Sequence, residues 1–463
     1  MNISHLFPDP PARVHCIGIK GVGMTAIAQF LVQQGYTVTG SDVAEEFPTD
    51  VVLSRLNIDV ADVFSAAHIT DDIEAVVYST AYAATHIERI AASKRGIPQW
   101  SYPEVLGLLS SFATTSIAVA GSHGKTTTTT LVARLLEVAG KNPSAVVGAP
   151  VSDWGSNARI GSNDVFVYEA DEYQNKFQFY QPSRIVVTNV DYDHPDFFPS
   201  EADYTKVFVD FVARLPDDGL LALWDEDPQS AALGAATSAR VVRFGASTAC
   251  QWRLTAVAVS KSGTTFTVLR GEEVFGTFTI PYAGEQYARN AIAALAITEN
   301  LGVTSDVAAQ AFRSFRGTAR RMEYIGEAED KIVIDDYAHH PTEIAALIKA
   351  LRAAYSGSPL VLVFQPHTAS RTAELLPAFA VALAAADVVV VLPIYTSARE
   401  GAGTVTSEDL VAAINVIASD KAKMAADFAA AVALVAATPM HSVVVTAGAG
   451  DVWQVGRRLL HQK

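Results

Sequence analysis

The run Ser116 to Leu136, SIAVAGSHGKTTTTTLVARLL, constrains the fold of this chain more than any other stretch. Ile117 to Ala120 reads as a buried parallel strand that passes through glycines straight into a helical segment beginning near Lys125. Strand, glycine loop and helix in that order make a phosphate-binding site. Gly121 and Gly124 let backbone amides approach a ligand, while the helix aims the positive end of its dipole at the same point. Lys125 adds a mobile positive charge on a solvent-accessible loop, and the Thr126 hydroxyl can reach a phosphate-bound magnesium ion. The further glycine of the longer phosphate-loop pattern would fall at Val119. The shorter core Gly121-Ser122-His123-Gly124-Lys125-Thr126 therefore carries the inference.

At about 150 residues per domain, a chain of 463 residues has room for three. Half of the residues are hydrophobic and only 18% are charged, which suits packed α/β cores rather than disorder. A net charge of −15 lacks the basic excess of proteins that live on nucleic acid or acidic membrane, so anionic ligands must be caught locally. Cys16 and Cys250 form neither a disulfide framework nor a metal spacing and are read as core residues. The opening MNISHLFPDPPARV has no basic stretch followed by an apolar secretory core, and no run of 18 apolar residues occurs. A soluble, cytoplasmic protein acting on small molecules is expected, with no nucleic-acid or membrane partner, as a monomer or weak homodimer.

Val14 to Gly35 reads as strand, glycine turn and helix, with Gly18, Gly21 and Gly23 in the turn. The next strand, from Tyr36, ends at Gly40-Ser41-Asp42 and places Asp42 about twenty residues beyond the glycines, where a carboxylate meets a ribose or base. This unit closes near Leu109. In the centre, a strand from Asp164 to Tyr168 ends in Glu169-Ala170-Asp171-Glu172, and one from Arg184 to Val190 ends in Asp191-Tyr192-Asp193-His194. Two metal-capable clusters after successive strands beside a phosphate loop point to magnesium, with manganese as the alternative that histidine tolerates. The segment from Gly219 to Ile280 is strand-rich and is read as extending the same domain.

Phe315 to Glu323 marks a second junction, giving expected domains of 1–109, 110–314 and 315–463. Beyond it, four strands separated by helices end in polar residues, including His339, His367, Arg371 and the Gly448-Ala449-Gly450-Asp451 turn. Such strand ends converge on one crevice of a second open parallel sheet.

As a set, these motifs resemble the Mur ligases, the ATP-dependent amino-acid ligases of peptidoglycan precursor synthesis. The carriers are GIKGVGM from Gly18, GSHGKTTTT from Gly121, EADE from Glu169, DYDH from Asp191, RRME from Arg320, DDYAHHPTE from Asp335, FQPH from Phe364 and GAGD from Gly448. The resemblance spans nearly the whole chain and implies a three-domain α/β architecture. A Rossmann-like amino-terminal domain would hold a UDP-sugar, a central P-loop domain would bind ATP, and a Rossmann-like carboxy-terminal domain would bring the amino acid.

It implies that Lys125 bridges the β- and γ-phosphates, with Gly121, Ser122, His123, Gly124, Thr126 and Thr127 completing the phosphate site. Thr126, Glu169 and His194 would hold the metal, Asn290 would contact adenine, and Arg321 and Asp336 would secure ATP. Gly21, Val22, Gly23 and Met24, with Asp42 and Ser79, would bind the UDP-sugar, while His339, His367 and Arg371 would receive the donor. Thr368 stands where the alanine-adding branch has an arginine, so Arg371 is expected to take over the donor's carboxylate. Gln286 and Tyr287 stand where histidine and asparagine usually precede the adenine asparagine. Lys206 is the position that carries a carbamate in some branches. The peptide-recycling branch, which shares the Glu169 to Tyr173 run, is the alternative, and a non-catalytic nucleotide sensor is the rival from another class.

Overall fold

The computed structural model describes residues 8–162, 164–395, 403 and 405–461. It forms two compact units: 1–190, 205–252 and 292–311 make the first, and 191–204, 253–291 and 312–463 the second.

The first unit opens with a five-stranded parallel sheet in the order Asp59–Ala61, Thr37–Ser41, Arg13–Ile17, Ala75–Tyr78 and Gln99–Ser101. The same unit carries the parallel strands Arg240–Gly245, Leu220–Trp224, Arg184–Val187, Thr115–Ala120, Val165–Glu169 and Ser144–Val151, with Ser156–Arg159 antiparallel at the edge. Ile117 to Ala120 is fully buried, as a central parallel strand covered on both faces must be. Its neighbours are Arg184–Val187 on one side and Val165–Glu169 on the other. Because all three run parallel, the phosphate loop, Glu169 and Thr188 leave the sheet at the same edge.

In the second unit, Gly263–Arg270 pairs antiparallel with Glu273–Ile280. A six-stranded sheet follows in the order Glu323–Ala328, Lys331–Asp336, Val443–Ala447, Leu360–Phe364, Val388–Val391 and Ala422–Met424, parallel except for its first pair. The expected four strands are present with a fifth parallel neighbour and an antiparallel edge. Pro341 and Thr342 open the helix Pro341–Ala354, with the His340 ring accepting the Thr342 amide. Among the described residues no helix is long and apolar enough to cross a membrane.

The first sheet carries a buried polar network. Glu88, on the helix Ile87–Lys94, is fully buried, and its carboxylate accepts from the Ser41 hydroxyl and the Ser65 amide. His68 Nδ1 lies 2.8 Å from one of its oxygens and His15 Nε2 3.7 Å from the other. Burial alone would raise this carboxyl, but the hydrogen bonds from His15, Ser41, His68 and Ser65 outweigh it and hold the group at about 2 against an ordinary 4.5. A depressed carboxyl stabilises the fold above its unfolded value and loses that contribution as pH falls through the folded one. Glu88→Leu should therefore destabilise the protein by about 3 kcal/mol near neutral pH, because it leaves buried partners unpaired. Denaturant melts at decreasing pH check this. The gap to wild type should shrink below pH 4.5 and close towards pH 2.

Candidate active site

The phosphate loop is shaped by crowding. Gly121 has φ +130°, and a Cβ there would lie 2.1 Å from the Thr188 hydroxyl, so no other residue fits. Gly124, at φ +82°, supplies the left-handed turn that opens the helix Lys125–Val138. Thr188 and Asn189 brace the loop from the next strand end. The Ser122 amide donates to the Asn189 carbonyl (3.1 Å), the His123 amide to Asn189 Oδ1 (3.0 Å), and the Thr188 hydroxyl to the His123 carbonyl (2.6 Å). This bracing ends the strand at Val187 rather than Val190. The amides of Ser122 and His123 thus hold the loop in shape.

Lys125 is not the exposed, mobile charge the sequence suggests. Its side chain is 13% exposed and faces Glu172, which is 1% exposed, at 2.9 and 3.3 Å. The ammonium also donates to the carbonyls of Gly121 (2.6 Å) and Ser122 (3.3 Å). Burial would lower its pKa, yet Glu172, Asp171 and Glu169 together raise it, so the group stays charged. The Thr126 hydroxyl donates to Glu169 Oε2 (3.0 Å), which also accepts the Gly148 amide (2.7 Å). A Cβ at Gly148 would lie 2.5 Å from that oxygen, so the glycine makes room for the carboxylate. Thr127 is buried in the first turn, while Thr129 and Thr130 return their hydroxyls to the carbonyls of Lys125 and Thr126. Those two hydroxyls are thus satisfied inside the helix, whereas the buried Thr128 hydroxyl has no hydrogen-bond partner among the described residues. A hydroxyl and a carboxylate beside a glycine loop are hard oxygen donors, and they fit magnesium with a phosphate.

In the amino-terminal turn, packing explains the glycines: a Cβ on Gly18 would lie 2.5 Å from the Tyr82 ring, and one on Gly23 2.6 Å from Tyr102. Gly21 caps the helix Val22–Gln33, whose Met24 is buried, and the Val22 carbonyl accepts from Asn157 (2.6 Å). Asp42 is buried, and its carboxylate accepts the amides of Lys20 (2.7 Å) and Val43 (2.9 Å). It therefore closes the glycine turn from within. The Ser79 amide donates to the Ile17 carbonyl at the neighbouring strand end. Lys206 lies exposed on the helix Glu201–Val212, paired at 2.8 Å with both oxygens of Asp210, as surface i,i+4 charges do.

In the second unit, Asp336 is buried and accepts the amides of Met322 (2.7 Å) and Ala338 (2.8 Å). Burial pushes its carboxyl up to about 6, against the pull of Arg321. Arg321 lies over the Tyr337 ring, 5.1 Å from its centre. Its neighbour Arg320 fastens the glycine turn, donating to the carbonyls of Gly448 and Gly450 and to Asp335. Asn290 sits half-buried on the helix Glu285–Ile297. Tyr287, one turn earlier, donates to the Arg321 carbonyl (3.2 Å) and stacks on Tyr282, which ties this helix to the junction.

Arg371 differs from expectation. It is 3% exposed, and Nε and Nη2 both donate to Asp193 Oδ1 (2.8 and 2.7 Å), so the edge that would grip a donor carboxylate faces Asp193. Nη1 reaches Nδ1 of His367 (3.2 Å), and Nη2, besides Asp193, reaches Nδ1 of His194 (3.4 Å). Burial would raise Asp193, but His194, Arg371, His339 and His340 hold it well below the carboxylate range. His339 is pushed down to about 3, chiefly by burial, with Arg371 adding to the effect, and is neutral. Thr368 has φ +65° and ψ 143°, a strained backbone for a threonine. Thr188, Asn189 and Gly148 are therefore structural members of these sites that sequence reasoning did not single out, while Glu172 and Asp193, read there within metal-capable clusters, pair with Lys125 and Arg371. A place just beyond a strand end was the one legible signal for Thr188 and Asn189, whereas Gly148 lies within the strand Ser144–Val151.

Three profiles of one family cover most of the chain: "Mur ligase family, catalytic domain" at 13–114, "Mur ligase middle domain" at 119–298 and "Mur ligase, glutamate ligase domain" at 320–450. The chain is 37% identical to a UDP-N-acetylmuramate--L-alanine ligase of Desulfitobacterium hafniense, over 97% of this chain and 100% of that one. It is 38% identical to the protein of the same name from an Anaeromyxobacter species, over 98% of each. Among solved structures it is similar to the UDP-N-acetylmuramate-alanine ligase of Thermotoga maritima, with a TM-score of 0.82, 26% identity, and 97% and 98% of the two chains covered. A murein peptide ligase of Psychrobacter arcticus, at 23% identity and a TM-score of 0.75 over 97% and 98% of the two chains, shares the fold. With its three-domain α/β architecture and this full-length similarity, the chain belongs to the Mur ligase family.

Proposed function

We propose that the chain joins L-alanine to UDP-N-acetylmuramate at the expense of ATP, as a cytoplasmic enzyme of peptidoglycan precursor synthesis. The observation that carries this reading is the phosphate loop, where a buried, charged Lys125 and a hydroxyl–carboxylate pair, Thr126 and Glu169, meet at one sheet edge. Full-length relatives named for that reaction support the choice of substrates. The proposed domains divide near residues 109 and 315. The amino-terminal turn would take the UDP-sugar, the central loop ATP, and the carboxy-terminal strand ends the amino acid.

A carboxylate cannot acylate an amine until one of its oxygens becomes a leaving group. In the proposed reaction the muramyl carboxylate attacks the γ-phosphorus, the bond to the β-phosphate oxygen breaks, and ADP leaves with its electron pair. The amine then attacks the acyl carbon, phosphate departs and the nitrogen loses a proton. Lys125 would supply positive charge where phosphate oxygens gather during transfer. The metal ligands proposed are Thr126, Glu169 and His194, and a magnesium ion bound there would reduce the repulsion between anions that must touch. Asn290, Arg321 and Asp336 are proposed to hold the nucleotide. His339, neutral by burial, and His367 would orient the donor. Because the Arg371 fork is directed at Asp193, its proposed part is to position His194 and His367.

The runner-up is a cell-wall peptide as donor, favoured by similarity to the UDP-N-acetylmuramate:L-alanyl-gamma-D-glutamyl-meso-diaminopimelate ligase of Neisseria meningitides, at 26% identity, a TM-score of 0.61, and coverage of 67% of this chain and 99% of that one. Mass spectrometry of products from UDP-N-acetylmuramate, ATP and competing alanine, serine, glycine and peptide donors separates the two. The alanyl product should dominate, and a peptide-linked product in its place would reassign the donor. Lys125→Ala should lower turnover by about a hundredfold or more, the cost of about 3 kcal/mol for one transition-state contact. Turnover close to wild type in a phosphate-release assay would remove the loop from the reaction. Glu169→Gln should raise the magnesium concentration needed for half-maximal turnover, and a titration curve that overlays wild type would take Glu169 out of the metal site.

A further inference from the structure

We propose that Glu172 is the internal counter-anion of the phosphate loop: it holds Lys125 where a nucleotide phosphate would claim it, and a phosphate binds by displacing it. This rests on the reading of the loop as a nucleotide site. An ammonium has three protons to donate, and Lys125 Nζ faces four acceptors, the carbonyls of Gly121 and Ser122 and both oxygens of Glu172. A phosphate oxygen can join only by taking the place of one of them. The two carbonyls belong to a backbone braced by Thr188 and Asn189, whereas the Glu172 carboxylate stands on a side chain with rotatable bonds. Glu172 is therefore the partner that yields.

Charge points the same way. Glu172 is 1% exposed, so water screens it little, and an anion one lysine away feels its field. The carboxylate keeps the buried lysine neutralised and the loop formed without a ligand. It also weakens the hold on nucleotide, which favours ADP release after each turnover. Glu172 acts through Lys125 and is a positioning residue in this scheme.

Calorimetry with ADP and no divalent cation, on the full-length protein, tests the idea. Glu172→Gln keeps the shape but removes the charge, and ADP should bind about tenfold tighter than to wild type while kcat falls. A merely structural role would loosen the loop and weaken binding, so unchanged or weaker affinity overturns the proposal. The second comparison is Lys125→Ala against Lys125→Ala/Glu172→Gln. With the ammonium gone, the Glu172 charge still stands close to the phosphates, and the double variant should bind ADP more tightly than the single one. Equal affinity of the two also overturns the proposal. Should wild type bind neither ADP nor ATP, the nucleotide reading itself fails, whereas wild-type binding without tightening removes the counter-anion alone.

Discussion

The close approach of the Thr115–Ala120 strand end to its neighbour is the constraint on which the central site depends. Gly121 has no room for a side chain because the Thr188 hydroxyl occupies that space, and Thr188 is there because the two strands run parallel in register. From this one contact the rest follows in order. Thr188 and Asn189 fix the loop backbone, the loop carbonyls fix the Lys125 ammonium, and the helix that starts at Lys125 directs Thr126 at Glu169. Packing sets the geometry, and the charges are arranged within it.

The second unit applies a related logic to charge. Asp193 and Arg371 are both almost fully buried, so each requires the other, and the histidines around them are held by the pair. Arg320 and Asp335 repeat the pattern beside the glycine turn at Gly448. Asp336 is different: its carboxylate accepts from two backbone amides, and burial raises it against the pull of Arg321.

The Glu88 network and the Asp42 carboxylate show the same economy in the first sheet. Asp42 follows a strand end, where a sequence reading looks for ligand contacts, and Glu88 stands in the first turn of a helix, yet both are engaged by the chain's own amides, hydroxyls and rings. An acid at a strand end can thus hold a turn in place and prepare the surface a ligand meets.

Much of this molecule was legible in the amino-acid order. The strand Arg13–Ile17 and the helix Val22–Gln33 fall where hydrophobic periodicity puts them, and the strand–glycine–helix run from Thr115 declares its phosphate loop, because backbone conformation and local burial depend on near neighbours. The pairing of distant charges was not legible. Lys125 with Glu172, and Arg371 with Asp193, are separated by 47 and 178 residues. The sequence by itself determined which residues stand at strand ends, since period and glycine placement are local. Only the tertiary structure decided which of those ends face one another, because burial of a charge is settled by what the fold brings against it.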